Sequence, residues 1–464
     1  MGLGYEPHGT TSKYALFPVK ARRPPADVLA IGALTLVSLA TNVLPRDLCS
    51  FVLIALALAV LPYSRIKRDF WLTVWPLCVI LVLGIPGIAE HELRNITRDF
   101  FFALTPIALL LIGFWLAERK QFWDQLPLTL VGLGVLFAVQ HLSAFALSPS
   151  LLMAESMVVR ATAGSAADIT VLAFLVLLFI GRFTPENTPL RGAAYGTAFA
   201  ILLISVLLSY SRTAVMLLLL GSLAAKGWLT GRNLKWPLLA LGVGLAILLA
   251  VPGDEAFGQD ATFMLKLTRS LDELAVSNYE TYKDISFNWR GFESYKTLEQ
   301  YLSGNTLQLV IGQGYGALVD LGFYMALGGD ASIEFRYIPV LHNGYGYVLL
   351  KYGIAGVLLY LTFYSKLIRI VLTHQKSTSH QTAFCARFLF GLTLSLSFVM
   401  FVAGGMAELA SSEYVVLVGV MASRIFSESR RTHTTRHGSR PHSESQLQPV
   451  NARPDGETQQ GGVP

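Results

Sequence analysis

The chain is short of charge. Asp, Glu, Lys and Arg make up 14% of its 464 residues, against about 25% in a soluble globular protein. Apolar residues make up 53%, which excludes an ordinary soluble domain and implies a polytopic membrane protein. Cysteine is scarce too: Cys49, Cys78 and Cys385 lie in or beside apolar runs without C-x-x-C spacing. That excludes a disulfide framework or a thiolate metal site and leaves small core residues. Acids and histidines do not gather either. "PGDEAFGQD" offers Asp254, Glu255 and Asp260 with no histidine nearby, and His433, His437 and His442 lack companion ligands. No metal site is therefore expected. The excess charge of +6 sits in short clusters between apolar runs, where it sets topology and does not form a nucleic-acid patch. The polar segment 1–27 is too long for a cleaved signal, so the first apolar run is expected to stay as a span.

A helical span needs about 20 mostly apolar residues. The expected fold is an all-α polytopic membrane protein of about twelve transmembrane helices. Nine run near 28–44, 47–63, 70–89, 100–116, 126–147, 167–183, 192–210, 213–229 and 236–251; three more lie near 342–364, 383–403 and 412–426. With that count, Arg65, Lys67, Arg68, Arg119, Lys120, Arg182, Lys226, Lys366, Arg369 and Arg424 all fall on one side. The positive-inside rule makes that side the cytoplasm and puts both termini there. Segment 252–341 then becomes a large far-side loop. Two amphipathic helices are expected to cap the bundle from it. One carries Phe263, Leu267, Leu271 and Leu274 on a single face, and the other Phe292, Tyr295 and Leu302. Gly304 and Asn305 end the second helix, and "IGQGYGALVDLG" forms a glycine-rich turn. Residues 427–464, polar and almost without apolar residues, are expected to form a disordered cytoplasmic tail.

The far side should be poor in Lys and Arg, so its arginines need a reason. Arg212 sits in the tight turn "SYSRTAV", and Arg290 opens the second cap helix, where free amides and the helix dipole also favour an anion. Arg160 and Arg336 are accessory candidates; Arg160 has Glu155 or Asp168 as a nearby partner, and Arg336 has Glu334. Snorkelling or simple solvation is the alternative for each. Together they make an electropositive rim around His342, and a guanidinium fork suits phosphate. His342 and Asn343 stand where the polar loop meets the helix "NGYGYVLLKYGIAGVLLYL". The small residues Gly353 and Gly356 below them suggest a cleft for a lipid-linked substrate. A histidine that merely caps the helix and touches headgroups is the other reading.

These residues resemble a known family. "SYSRTAVMLLLLGSL" is similar to the opening of the domain shared by bacterial O-antigen ligases and polymerases. His342-Asn343, nine residues, Gly353, two residues and Gly356 match the ligase signature. The resemblance covers most of residues 28–426. It implies glycosyl transfer at the periplasmic face of the inner membrane, from undecaprenyl pyrophosphate to a sugar hydroxyl of lipid A–core, with neither metal nor nucleotide. Arg212 and Arg290 would hold the pyrophosphate, and His342 would take or orient the acceptor proton. Imidazole, with an ordinary pKa of about 6.5, suits that role. A single inverting displacement is expected because the sequence shows no carboxylate nucleophile beside the histidine. Glu408, in the last far-side turn, is the one acid that qualifies this. A polysaccharide polymerase and a protein O-oligosaccharyltransferase share the scaffold. A transporter of anionic solutes is the reading from another class, although the notable charges gather at one face and no internal repeat stands out.

Overall fold

The computed structural model describes residues 25–64, 68–154, 158–159, 162–164, 168–183, 192–209, 211–229, 235, 285, 288–326, 334–409 and 411–438. Arg160, the ninth expected span and the first expected cap helix lie outside these residues. What is described is 82% helical, and six helices are long and apolar enough to cross a membrane. In chain order the helices are α1 (Pro25–Val43), α2 (Arg46–Val60), α3 (Arg68–Leu83), α4 (Leu93–Ala117), α5 (Lys120–Leu147), α6 (Asp168–Leu178), α7 (Ile180–Phe183), α8 (Ala193–Leu208) and α9 (Arg212–Ala225). After these come α10 (Trp289–Leu302), α11 (Thr306–Ile311), α12 (Gly344–His374), α13 (His380–Val402) and α14 (Ser412–Gly438). The six long apolar elements contain α2, α3, α4, α5, α12 and α13; α1, α6, α8 and α9 are shorter apolar helices.

Small residues let these helices approach closely, as expected where lipid tails remove most of the hydrophobic drive. Gly113 of α4 meets the Val416–Gly419 backbone of α14, and Gly391 of α13 lies against Gly221 and Ala224 of α9. Gly227 meets Arg387, so α9 and α13 run antiparallel, with Arg212 level with the C-terminal end of α13.

One end of the bundle gathers polar side chains. Thr41 and Asn42, closing α1, each donate to Glu413 Oε1 at 2.8 Å, and Ser411 donates to Asp168 at 2.7 Å. His342 belongs to this end, because its carbonyl accepts the Gly404 amide at 2.7 Å. At the opposite end Arg119 donates to the Tyr63 carbonyl and Arg424 to Gln381.

Three expectations change. The loop region is not all helix: β1 (Val319–Ala326) and β2 (Glu334–Ile338) pair antiparallel, with Asp320 opposite Tyr337 and an irregularity before Met325. Aromatic and β-branched residues in these stretches favour a pleat over a helix. Asn305 does not only end α10; it accepts from the Gln308 amide while Gln308 returns a bond to its own amide, a capping box that starts α11. The expected tail begins as helix, since α14 continues to Gly438; residues 439–464 lie outside the described residues. The chain divides into units 1–426 and 427–464.

Candidate functional site: a histidine held by a buried carboxylate

His342 precedes α12, and Asn343 caps that helix, its side-chain oxygen accepting from the Tyr345 and Gly346 amides at 3.1 Å. Capping therefore falls to Asn343, an expected accessory residue, and the imidazole is left for other work. Its Nδ1 lies 2.9 Å from Glu293 Oε2, and its backbone amide donates to Glu293 Oε1. Glu293 is 2% exposed, whereas the His342 side chain is 51% exposed. The carboxylate thus grips both backbone and ring from below, and the ring faces outward. In the neutral imidazole, a proton on Nδ1 facing the carboxylate leaves Nε2 as an acceptor. This is the arrangement by which a buried acid fixes the tautomer of a catalytic imidazole.

Glu293 was not among the candidates in the sequence. The expected apolar face of its helix was Phe292, Tyr295 and Leu302, yet Tyr295 and Leu302 are exposed and the helix buries Gly291, Phe292, Glu293, Thr297 and Tyr301. The signal available was an acid next to Phe292 on a helix whose one other acid, Glu299, has a lysine, Lys296, three residues before it and pairs with it at the surface. Its discovery also corrects the premise that no carboxylate stands beside the histidine. Glu293 is enclosed, and both its oxygens are taken by His342, so it orients the ring and is not open to act as a nucleophile.

Arg290 sits in the first turn of α10, one turn ahead of Glu293, and is half-buried. Arg212 opens α9 behind Ser211, whose hydroxyl accepts from the Ala214 amide at 3.2 Å; it too is half-buried. The antiparallel register of α9 and α13 brings Arg212 to the end of the bundle where Gly404 meets His342. Arg336 is not part of this group as a free cation. Its guanidinium forks onto Asp320 across the two-stranded sheet, at 2.9 and 3.0 Å, and not onto the expected Glu334. The same fork holds the Asp320 carboxyl below its ordinary range. Glu408 closes the turn Gly405–Glu408. Asp168, an expected partner of Arg160, accepts from Ser411.

The small residues below His342 do not open a cleft. Gly353 has φ 63 inside α12, a conformation that favours glycine, and a Cβ there would collide with the Val310 backbone. The kink lets the loop after α11 seal the helix: Gln313 and Gly314 donate to the carbonyls of Leu350 and Lys351 at 2.8 and 2.9 Å. Gly356 is packed against its own Tyr352 and Val348. Beside this seal lies an enclosed cluster. Asp99 of α4 accepts from Lys351 Nζ, from the Gly316 amide at 2.7 Å, from Tyr347 at 3.1 Å and from Arg98 at 3.2 Å. It clamps α12 to α4 directly below the histidine. Among the described residues no three His, Cys, Asp or Glu side chains gather as metal ligands.

No family model and no curated protein matches this chain.

Proposed function

We propose that the protein is a glycosyltransferase of the O-antigen ligase type, acting at the periplasmic face of a bacterial inner membrane. The observation that carries this reading is the outward-facing His342 imidazole fixed by buried Glu293 at the polar end of an apolar helical bundle. In the proposed reaction a sugar hydroxyl of lipid A–core gives its proton to Nε2 of His342. The hydroxyl oxygen then attacks the anomeric carbon of a glycan on undecaprenyl pyrophosphate. The bond to the pyrophosphate oxygen breaks, the electron pair leaves with the diphosphate, and the anomeric centre inverts. Arg212 and Arg290 are the residues assigned to the diphosphate, where guanidinium forks stabilise charge that grows as the bond opens. Support for their role is their half-buried setting at the starts of α9 and α10. Asn343 serves by capping the helix that presents the histidine.

The test is reconstitution with a lipid-linked glycan and purified lipid A–core. Wild type should attach glycan to the core, and His342→Ala should lose transfer while its melting profile is retained. Full transfer by His342→Ala would sink the base assignment. Lengthening of the lipid-linked glycan would assign a polymerase, and glycan on an added pilin-like protein an O-oligosaccharyltransferase.

A further inference from the structure

Two far-side arginines were not part of the sequence argument. Arg94 and Arg98 lie one turn apart on α4, and with Asp47, Leu93, Thr97 and Phe101 they line a cavity of about 460 Å³ between the starts of α2 and α4. Arg94 is exposed and makes no ion pair among the described residues. Arg98 gives one edge of its fork to Asp99, through Nε and Nη2 at 3.3 and 3.2 Å. That carboxylate is already claimed by Lys351, Tyr347 and the Gly316 amide. Two guanidiniums and one carboxylate thus face the space. Thr97 has its hydroxyl proton on the Leu93 carbonyl at 2.8 Å.

The rest of the surroundings is apolar and open. Leu93 is 78% exposed, and Leu48 and Phe51 of α2 are also exposed. Phe51 meets Phe101 with ring centroids 6.5 Å apart. A cationic mouth above an exposed apolar strip on two candidate spans fits an amphiphile with an anionic head better than a free ion. We propose that this groove is a headgroup site for an anionic phospholipid of the bilayer, with phosphate on Arg94 and Arg98 and an acyl chain along Leu48, Phe51 and Phe101. The site is separate from His342 and stands whether or not glycosyl transfer does.

The experiment is native mass spectrometry of the full-length protein in detergent, titrated with phosphatidylglycerol, with a chain-matched diacylglycerol, or with inorganic phosphate. Wild type should retain phosphatidylglycerol in preference to diacylglycerol. Arg94→Gln should weaken that binding about tenfold, the loss of one charge-assisted contact, and Arg94→Lys should recover most of it. Equal retention by Arg94→Gln, equal binding of diacylglycerol, or displacement of the lipid by millimolar phosphate would each overturn the proposal. Should Arg94→Gln fail to fold, Leu93→Gln carries the same test: weakened phosphatidylglycerol binding supports the site and unchanged binding overturns it. No glycan is present in this assay, so its outcome is independent of the reaction at His342.

Discussion

Two carboxylate–nitrogen pairs sit near one another at the same end of this bundle, and their surroundings make them opposites. Asp99 and Lys351 are 0% and 1% exposed, and the acid takes four further or shared contacts from Gly316, Tyr347 and Arg98. Glu293 is equally hidden, but its partner His342 is half in the open. A sealed ion pair has no access to substrate, and its desolvation makes it costly to break. A ring held by a sealed acid, and itself open, has one nitrogen committed and one free. Exposure of the nitrogen base, and not the presence of an acid–base pair, separates the two: the His342 ring can meet a ligand and the Lys351 amine cannot.

The comparison breaks most visibly at Glu293. Glu293→Gln keeps the shape but can donate to Nδ1, which drives the proton to Nε2 and removes the free acceptor. Transfer should fall about 10²–10⁴-fold, with the melting temperature close to wild type; steady-state glycan transfer beside a thermal melt reads both. A variant with full activity would reduce Glu293 to a packing residue.

The clamp should respond the other way. Asp99→Ala leaves Lys351 buried and unpaired, for a destabilisation of about 3–5 kcal/mol, read as a lowered denaturant midpoint in detergent. Replacing both partners together, Asp99→Leu with Lys351→Met, should recover much of the loss, because apolar residues of similar volume are often neutral in place of a buried pair. Failure of the double variant to recover would mean that the cluster does more than hold α4 to α12.

Gly353→Ala tests the seal between the two. The positive φ and the contact with Val310 should cost about 1–3 kcal/mol and loosen the 310–314 loop, seen as faster amide exchange at Gln313 and Gly314. The smallest effect belongs to the sheet. Asp320 has a lowered folded-state pKa because Arg336 bonds its ionised form. Its contribution is therefore complete above the ordinary carboxylate range and is lost as the pH falls through the depressed value. The amide protection factors of Val319–Ala326 and Glu334–Ile338, with the intrinsic pH dependence of exchange divided out, should fall at acid pH in wild type, and that fall should be absent in Asp320→Asn.

Much of the architecture is readable from the chain. The apolar runs and their spacing anticipate the helices of the bundle, six of them long and apolar enough to cross a membrane, and α10 begins beside Arg290 as expected. His342 and Asn343 stand at the start of α12, where the polar–apolar boundary in the sequence puts them. Glu293 was not legible, because the face a helix buries depends on its neighbour and α10 turns an acid inward to meet α12. Gly353 was misread for a related reason: a small residue looks alike whether it opens a space or receives another backbone. Arg336 was misassigned to an acid close in sequence, when the strand pairing supplies Asp320.

Composition and hydropathy period alone determined that this is an apolar helical protein with a polar end, since those patterns act locally and repeat every turn. Only the tertiary structure decided which charges are spent and which are available. Asp320, Asp99 and Glu293 lie 16, 252 and 49 residues from the partners they bind, and contacts across such distances are set by packing, which no local spacing in the chain encodes.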